Sequence, residues 1–104
     1  MVYLVDMSGR KIRFTDERAK HVGSDHPEMD GQISKITETL SGPDYIVRSR
    51  TDPDVELFYK YYVETPVGGK YLCVVVKTSG SDSFVSTSYF TDTVKKGRDL
   101  WTKK

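Results

Sequence analysis

The most apolar run of the chain is KYLCVVVK, residues 70–77. It is bounded by glycine-containing turns and reads as the central strand of a sheet. It is far too short to cross a membrane. Three further extended runs flank it: YIVRSR (45–50), VELFYKYYVE (55–64) and SFVSTSYF (83–90). The segments between them, TDPD, TPVGG and TSGSD, are short and built from turn formers. Short turns join antiparallel neighbours, so the second half of the chain is expected to be a four-stranded antiparallel meander.

The first half has a different pattern. In VYLVDMSGRKIRFT, Val2, Leu4, Ile12 and Phe14 alternate with polar residues and Ser8-Gly9 supplies a turn, which predicts a hairpin. A helix then starts at Thr15 or Asp16, with acidic residues in its first turn. Arg18 stands where a capping box would place Glu or Gln. This helix should stop by about Asp25, because Gly23 weakens it and Pro27 pushes His26 out of helical geometry. His21 is thus expected on the helix and His26 on the loop that ends it. Met29, Ile33, Ile36 and Leu40 form one apolar stripe, which predicts a second helix ended by Gly42-Pro43. In the tail, TDTVKKGRDLWTKK, a short helix from Thr91 or Asp92 to Gly97 is expected, with Leu100 and Trp101 folding back as a plug. The expected architecture is α+β: an N-terminal hairpin, two helices, then a four-stranded antiparallel sheet. Both helices should cover one face and leave the other open.

With 104 residues the chain makes one domain, residues 1–104. Its net charge is only +1, from 16 basic and 15 acidic residues. Phosphate neutralisation drives nucleic-acid affinity, so any basic excess that serves it must be local. Cys73 is the single cysteine and lies inside KYLCVVVK, where it reads as a buried small hydrophobe. A lone thiol fits a reducing compartment such as the cytoplasm, and no apolar leader opens the sequence. His21 and His26 are separated by a proline-bounded break and one cysteine cannot complete a zinc site, so no metal or other cofactor is expected. A Cys-His nucleophile pair is disfavoured because Cys73 sits in the most apolar strand.

Several segments carry a family resemblance: FTDERAKHV with the following HPEM, YIVRSRTDPDVELFYK, YLCVVVK, and FVSTSYFTDTVKKGRDLW. Together, over about residues 12 to 101, they resemble the phage-borne branch of the barnase–EndoU–colicin–RelE-like nucleases. The order helix, helix, four strands is also that superfamily's order. The resemblance implies a metal-independent ribonuclease of phage, mobile-element or toxin settings, with RNA as substrate and an antitoxin or immunity protein as partner. It implies a catalytic histidine, His21 or His26, a basic residue on the strands, Arg48, and a hydroxyl on the last strand, Thr87. Tyr89 shares the face of Thr87, and Tyr59 is the aromatic candidate. Arg50, Lys60, Lys77 and Lys95 are the substrate-binding candidates. Metal-free RNA cleavage needs a base for the 2′-hydroxyl proton, an acid for the leaving oxygen and cations for the phosphorane charge, and these residue types can fill those roles.

Arg48, Tyr59, Thr87 and at least one histidine are therefore expected to line one cleft on the open face. Arg48 is expected to leave the core face occupied by its apolar neighbours. Two competing readings are a catalytically silent RNA- or protein-binding module of the same fold, and a small dimeric scaffold that uses an edge strand and exposed tyrosines.

Overall fold

In the computed structural model, which describes residues 1–103, the strand KYLCVVVK is part of β5 (Lys70–Ser79). It lies between β4 (Val55–Tyr62) and β6 (Asp82–Thr91), antiparallel to both. The other elements are β1 (Val2–Val5), β2 (Lys11–Phe14), α1 (Asp16–Asp25), a 3₁₀ turn (Pro27–Met29), α2 (Ile33–Ser41), β3 (Tyr45–Arg48) and β7 (Arg98–Thr102). All the strands join one seven-stranded sheet in the order β1-β2-β6-β5-β4-β3-β7.

The fold remains α+β, but this sheet replaces the expected two-helix, four-stranded antiparallel layout in two respects. First, the hairpin is part of the sheet: β2 pairs parallel to β6 through Arg13 and Phe84, which makes the sheet mixed. Second, residues 92–97 form a loop in place of the expected helix, and Arg98–Thr102 form a strand. Residues 91–97 contain one large apolar side chain, Val94, and so have no apolar stripe to bury as a helix. The edge of β3, in contrast, presents backbone groups that β7 pairs antiparallel. A register shift opposite Ile46 and Val47 lets the adjacent Leu100 and Trp101 both pack against the helix-side core.

Alternation along the strands separates two apolar layers. Phe58, Leu72, Val74 and Val76 face Val22, Met29, Ile36 and Leu40, so α1, the 3₁₀ turn and α2 share one side of the sheet. Ile33 departs from the expected stripe: it opens α2 and is 49% exposed. Met29 lies on the 3₁₀ turn and not on α2. Val47, Leu57, Tyr59 and Cys73 form the second layer on the opposite face. Thr15 caps α1, its Oγ1 accepting from the Arg18 backbone N at 3.1 Å. Among the described residues no helix is long and apolar enough to cross a membrane.

The hairpin turn is organised by a buried carboxylate. Asp6 accepts from Ser8 N (3.0 Å), Ser8 Oγ (2.7 Å), Arg10 N (2.9 Å) and Arg10 Nε (3.0 Å). Burial alone would raise its pKa, but these hydrogen bonds and the Arg10 charge together hold it below the usual value. A depressed folded-state pKa contributes stability that is present above the unfolded value and lost as pH falls through the folded one. Asp6→Ala should therefore cost about 2–3 kcal/mol at neutral pH. Denaturant titration of both proteins from pH 7 down to pH 2 should show the gap shrinking at the acid end. A gap independent of pH would contradict this role for the carboxylate.

Candidate active site

On the open face, cross-strand register stacks two rows of side chains. Leu57, Val75 and Thr87 form one row, and Tyr59, Cys73 and Tyr89 the other. Between these strands Val75 pairs with Thr87 and Val76 with Val85, which leaves Ser86 as an extra residue. Such a bulge sharpens the local twist and re-aims the side chains beside it. Two loops rise around the rows. Residues 92–97 fold over the tyrosine row, where Val94 packs and the Lys95 backbone N donates to Tyr59 Oη at 3.2 Å. Residues 49–54 form the opposite wall, held by Lys77 Nζ to Asp52 Oδ2 at 3.2 Å and Asp54 N to Asp52 Oδ1 at 3.0 Å. Those hydrogen bonds hold the Asp52 carboxyl below its usual range.

Between the walls lies a cavity of 550 Å³. Leu57 and Val75 floor it, Thr87 and Tyr89 reach it from β6, and Arg50, Lys95 and Lys96 bring positive charge. His26 does not itself line the cavity but meets one of its lining residues, Tyr89. The His26 backbone N–H closes α1 on Val22 O at 2.8 Å, and Pro27 then turns the chain into the 3₁₀ element, which packs against β6. Because β2 pairs with β6 only at Phe84, the rest of that strand edge is free of β2 and the His26 ring can reach Tyr89. The two ring centroids are 5.5 Å apart at an interplanar angle of 35°. Lys95 Nζ lies 6.0 Å from the same tyrosine ring, so an imidazole and an ammonium flank one phenol. Glu28 Oε1 is 3.5 Å from His26 Nδ1, on the side that would orient the ring.

Burial, and then the neighbouring Cys73, push the Tyr89 phenol well above its ordinary pKa. Burial is also the main reason that Tyr59 is raised. Both phenols therefore stay neutral and able to donate across the physiological range.

Several expected residues are placed elsewhere. Arg48 is not in the cleft. Residues two apart on a strand share a face, so Arg48 sits on the Ile46 side, which is the helix side, and pairs in register with Glu56. Its Nη2 is 3.9 Å from Glu56 Oε2, and its Nη1 donates to Pro53 O. Glu56 also holds Arg10 at 2.6 Å, so this end of the helix side is a charge network of its own. Tyr59 is fully buried and anchors the 92–97 loop rather than lining the cavity. His21 is exposed on α1 with Nε2 3.8 Å from Glu17 and does not line the cavity. Lys60 lies on the helix side, where it donates to Gly42 O at 3.1 Å. Lys77 is on the open face but braces Asp52. Thr87, Tyr89, Arg50 and Lys95 are the expected residues that line the cavity together, and His26 joins them only through its contact with Tyr89. Lys96 and the 92–97 loop as a whole join them, and no periodicity in the sequence signals that placement. Among the described residues no three His, Cys, Asp or Glu side chains are grouped so as to hold a metal ion.

Cys73 is buried behind the tyrosines. Burial pushes its thiol up to about 11, with the nearby Tyr89 and Tyr59 hydroxyls partly offsetting the effect. At pH 8 roughly one thiol in a thousand is then ionised, and none is open to reagent. A thiol reagent should label the native protein only at the rate of its unfolding, and rapid stoichiometric labelling would contradict this. The chain matches no family model, no curated protein and no solved structure.

Proposed function

We propose that the protein is a metal-independent endoribonuclease acting at the open-face cavity through His26. The observation that carries this reading is the tilted contact of the His26 ring with Tyr89, a lining residue of the cavity that also gathers Thr87, Arg50, Lys95 and Lys96. In this reading His26, oriented by Glu28, takes the proton of the 2′-hydroxyl. The 2′-oxygen attacks phosphorus, the bond to the 5′-oxygen breaks, and that oxygen takes its proton from water at the cavity mouth. Neutral Tyr89 and Thr87 donate to the non-bridging oxygens while Arg50 and Lys95 balance the phosphorane charge. The products are a 2′,3′-cyclic phosphate and a free 5′-hydroxyl. Resemblance to the phage-borne nucleases supports the same chemistry, with an antitoxin or immunity protein as the kind of partner that would cover the cavity. The buried lone thiol suits work in the cytoplasm.

A second reading, a silent RNA-binding module, is favoured by one observation. Arg48, the strongest sequence candidate for a transition-state cation, is occupied by Glu56 and Pro53 on the other face. Incubation with total tRNA and with an RNA hairpin in EDTA separates the two. Fragments with cyclic-phosphate ends support the nuclease, binding without cleavage supports the module, and neither result removes both.

A further inference from the structure

We propose that a second copy of this chain docks along β1, extending the sheet across a two-fold axis. β1 ends the seven-stranded sheet, so one side of its backbone pairs with β2 and the other has no partner strand. Such an edge is a template for another strand. Its side chains fit that role. Among the described residues nine large apolar side chains are exposed, and five of them, Met1, Val2, Tyr3, Val5 and Met7, fall within the first seven residues.

The contrast with the other sheet edge is informative. β7 carries Arg98 and Asp99 and a register shift against β3, devices that discourage edge pairing. The β1 sequence VYLV has no charge and no proline, and its pairing with β2 is regular over all four residues. It is therefore an uncharged edge with regular pairing behind it.

Self-pairing is also sterically and electrostatically consistent. An antiparallel pair about an axis normal to the sheet keeps both faces continuous, because directly opposed residues point to the same side. With Leu4 on the axis, Tyr3 of each copy lies opposite Val5 of the other, and these side chains are 57% and 48% exposed. Two of the nearby charges are paired: Asp6 is held by Arg10, and Arg13, which neighbours Tyr3 on β2, is paired with Asp82 at 2.7 Å; Lys11, which neighbours Val5 on β2, is exposed. In the joined sheet the two Lys11 side chains sit on the β2 strands, separated by both copies of β1. A four-residue strand spans only about 13 Å. The contact therefore falls below the roughly 800 Å² per partner of standard stable complexes, so the association is expected to be weak and concentration-dependent. The inference is independent of the chemistry at the cavity.

Sedimentation equilibrium on the full chain from about 5 to 500 μM spans that regime. The mass should rise from 11.9 kDa toward twice that value. Tyr3→Lys and Val5→Lys should each hold the chain at the monomer mass with an unchanged circular dichroism spectrum, since both sites are exposed. In the unmodified chain, the β1 amides that do not bond β2 should gain hydrogen-exchange protection as concentration rises, a readout that needs no variant. A monomer mass at every concentration overturns the proposal. So does a dimer that survives both substitutions, or growth beyond two copies, since the two-fold pairing uses up the edge.

Discussion

His26→Ala should lower RNA cleavage by about 10²-fold or more, while Arg48→Ala should leave it within a few-fold of the unmodified protein. The difference follows from which side of the sheet each residue occupies. The His26 ring meets Tyr89, a residue that lines the cavity, and its loss removes the imidazole that the proposed mechanism uses as base. Arg48 is on the opposite face, engaged by Glu56 and Pro53. Its removal should register as a modest loss of stability rather than of rate. Tyr89→Phe separates packing from chemistry, because it keeps the ring under His26 and deletes only the hydroxyl. It should cost about 10-fold or more in rate with little change in denaturation midpoint. His21→Ala, at an exposed helix position, should change neither. Single-turnover cleavage of an RNA hairpin in EDTA, with denaturation curves for each variant, makes the comparison. If Arg48→Ala proves as damaging as His26→Ala at equal stability, the site belongs on the helix side and this assignment is wrong.

Much of the local structure was legible because it depends on neighbours in sequence. Pro27 dictated that α1 end before His26, and turn residues marked the meander strands. The apolar run around Cys73 marked the sheet's interior. What was not legible depends on pairing between distant segments. Nothing in RDLWT distinguishes a plug from an edge strand until the free edge of β3 is known. The parallel contact between β2 and β6 rests on a single residue pair, too little to leave a pattern in either segment. Arg48 is a different case. The period of two places it with Ile46, so its face could be read from the sequence, and the expectation that it leaves the core face set this rule aside. At the cavity, His26 and Tyr89 were both visible as candidates. Their contact was not, because it depends on β2 leaving most of the β6 edge uncovered.

Gly97→Ala should destabilise the protein by about 2–3 kcal/mol, whereas Gly23→Ala should be neutral or stabilising by up to about 1 kcal/mol. The two glycines differ in what a methyl group would meet. At Gly23, inside α1, an added Cβ has no atom within 4 Å, so the substitution gains helix propensity at no steric cost. At Gly97 the same atom would overlap the Arg48 carbonyl oxygen and stand 2.7 Å from Val47 Cγ1. Neither obstacle can yield cheaply: the carbonyl belongs to the β3 backbone, and Val47 is 1% exposed in the open-face core. β7 must therefore shift away from β3, loosening the burial of Leu100 and Trp101 on the other face of the sheet. The strain should also pass into the adjoining 92–97 loop, because Lys95 and Lys96 directly precede the glycine and the Lys95 amide is tied to Tyr59 Oη. Gly97→Ala should accordingly weaken RNA binding at the cavity even under conditions where the variant remains folded, an effect Gly23→Ala should lack. Denaturation midpoints for the two variants, with RNA titrations at a temperature where both are native, test this coupling. A Gly97→Ala protein as stable as the parent would mean that β7 does not approach β3 this closely, and the tail's place at the sheet edge would have to be revised.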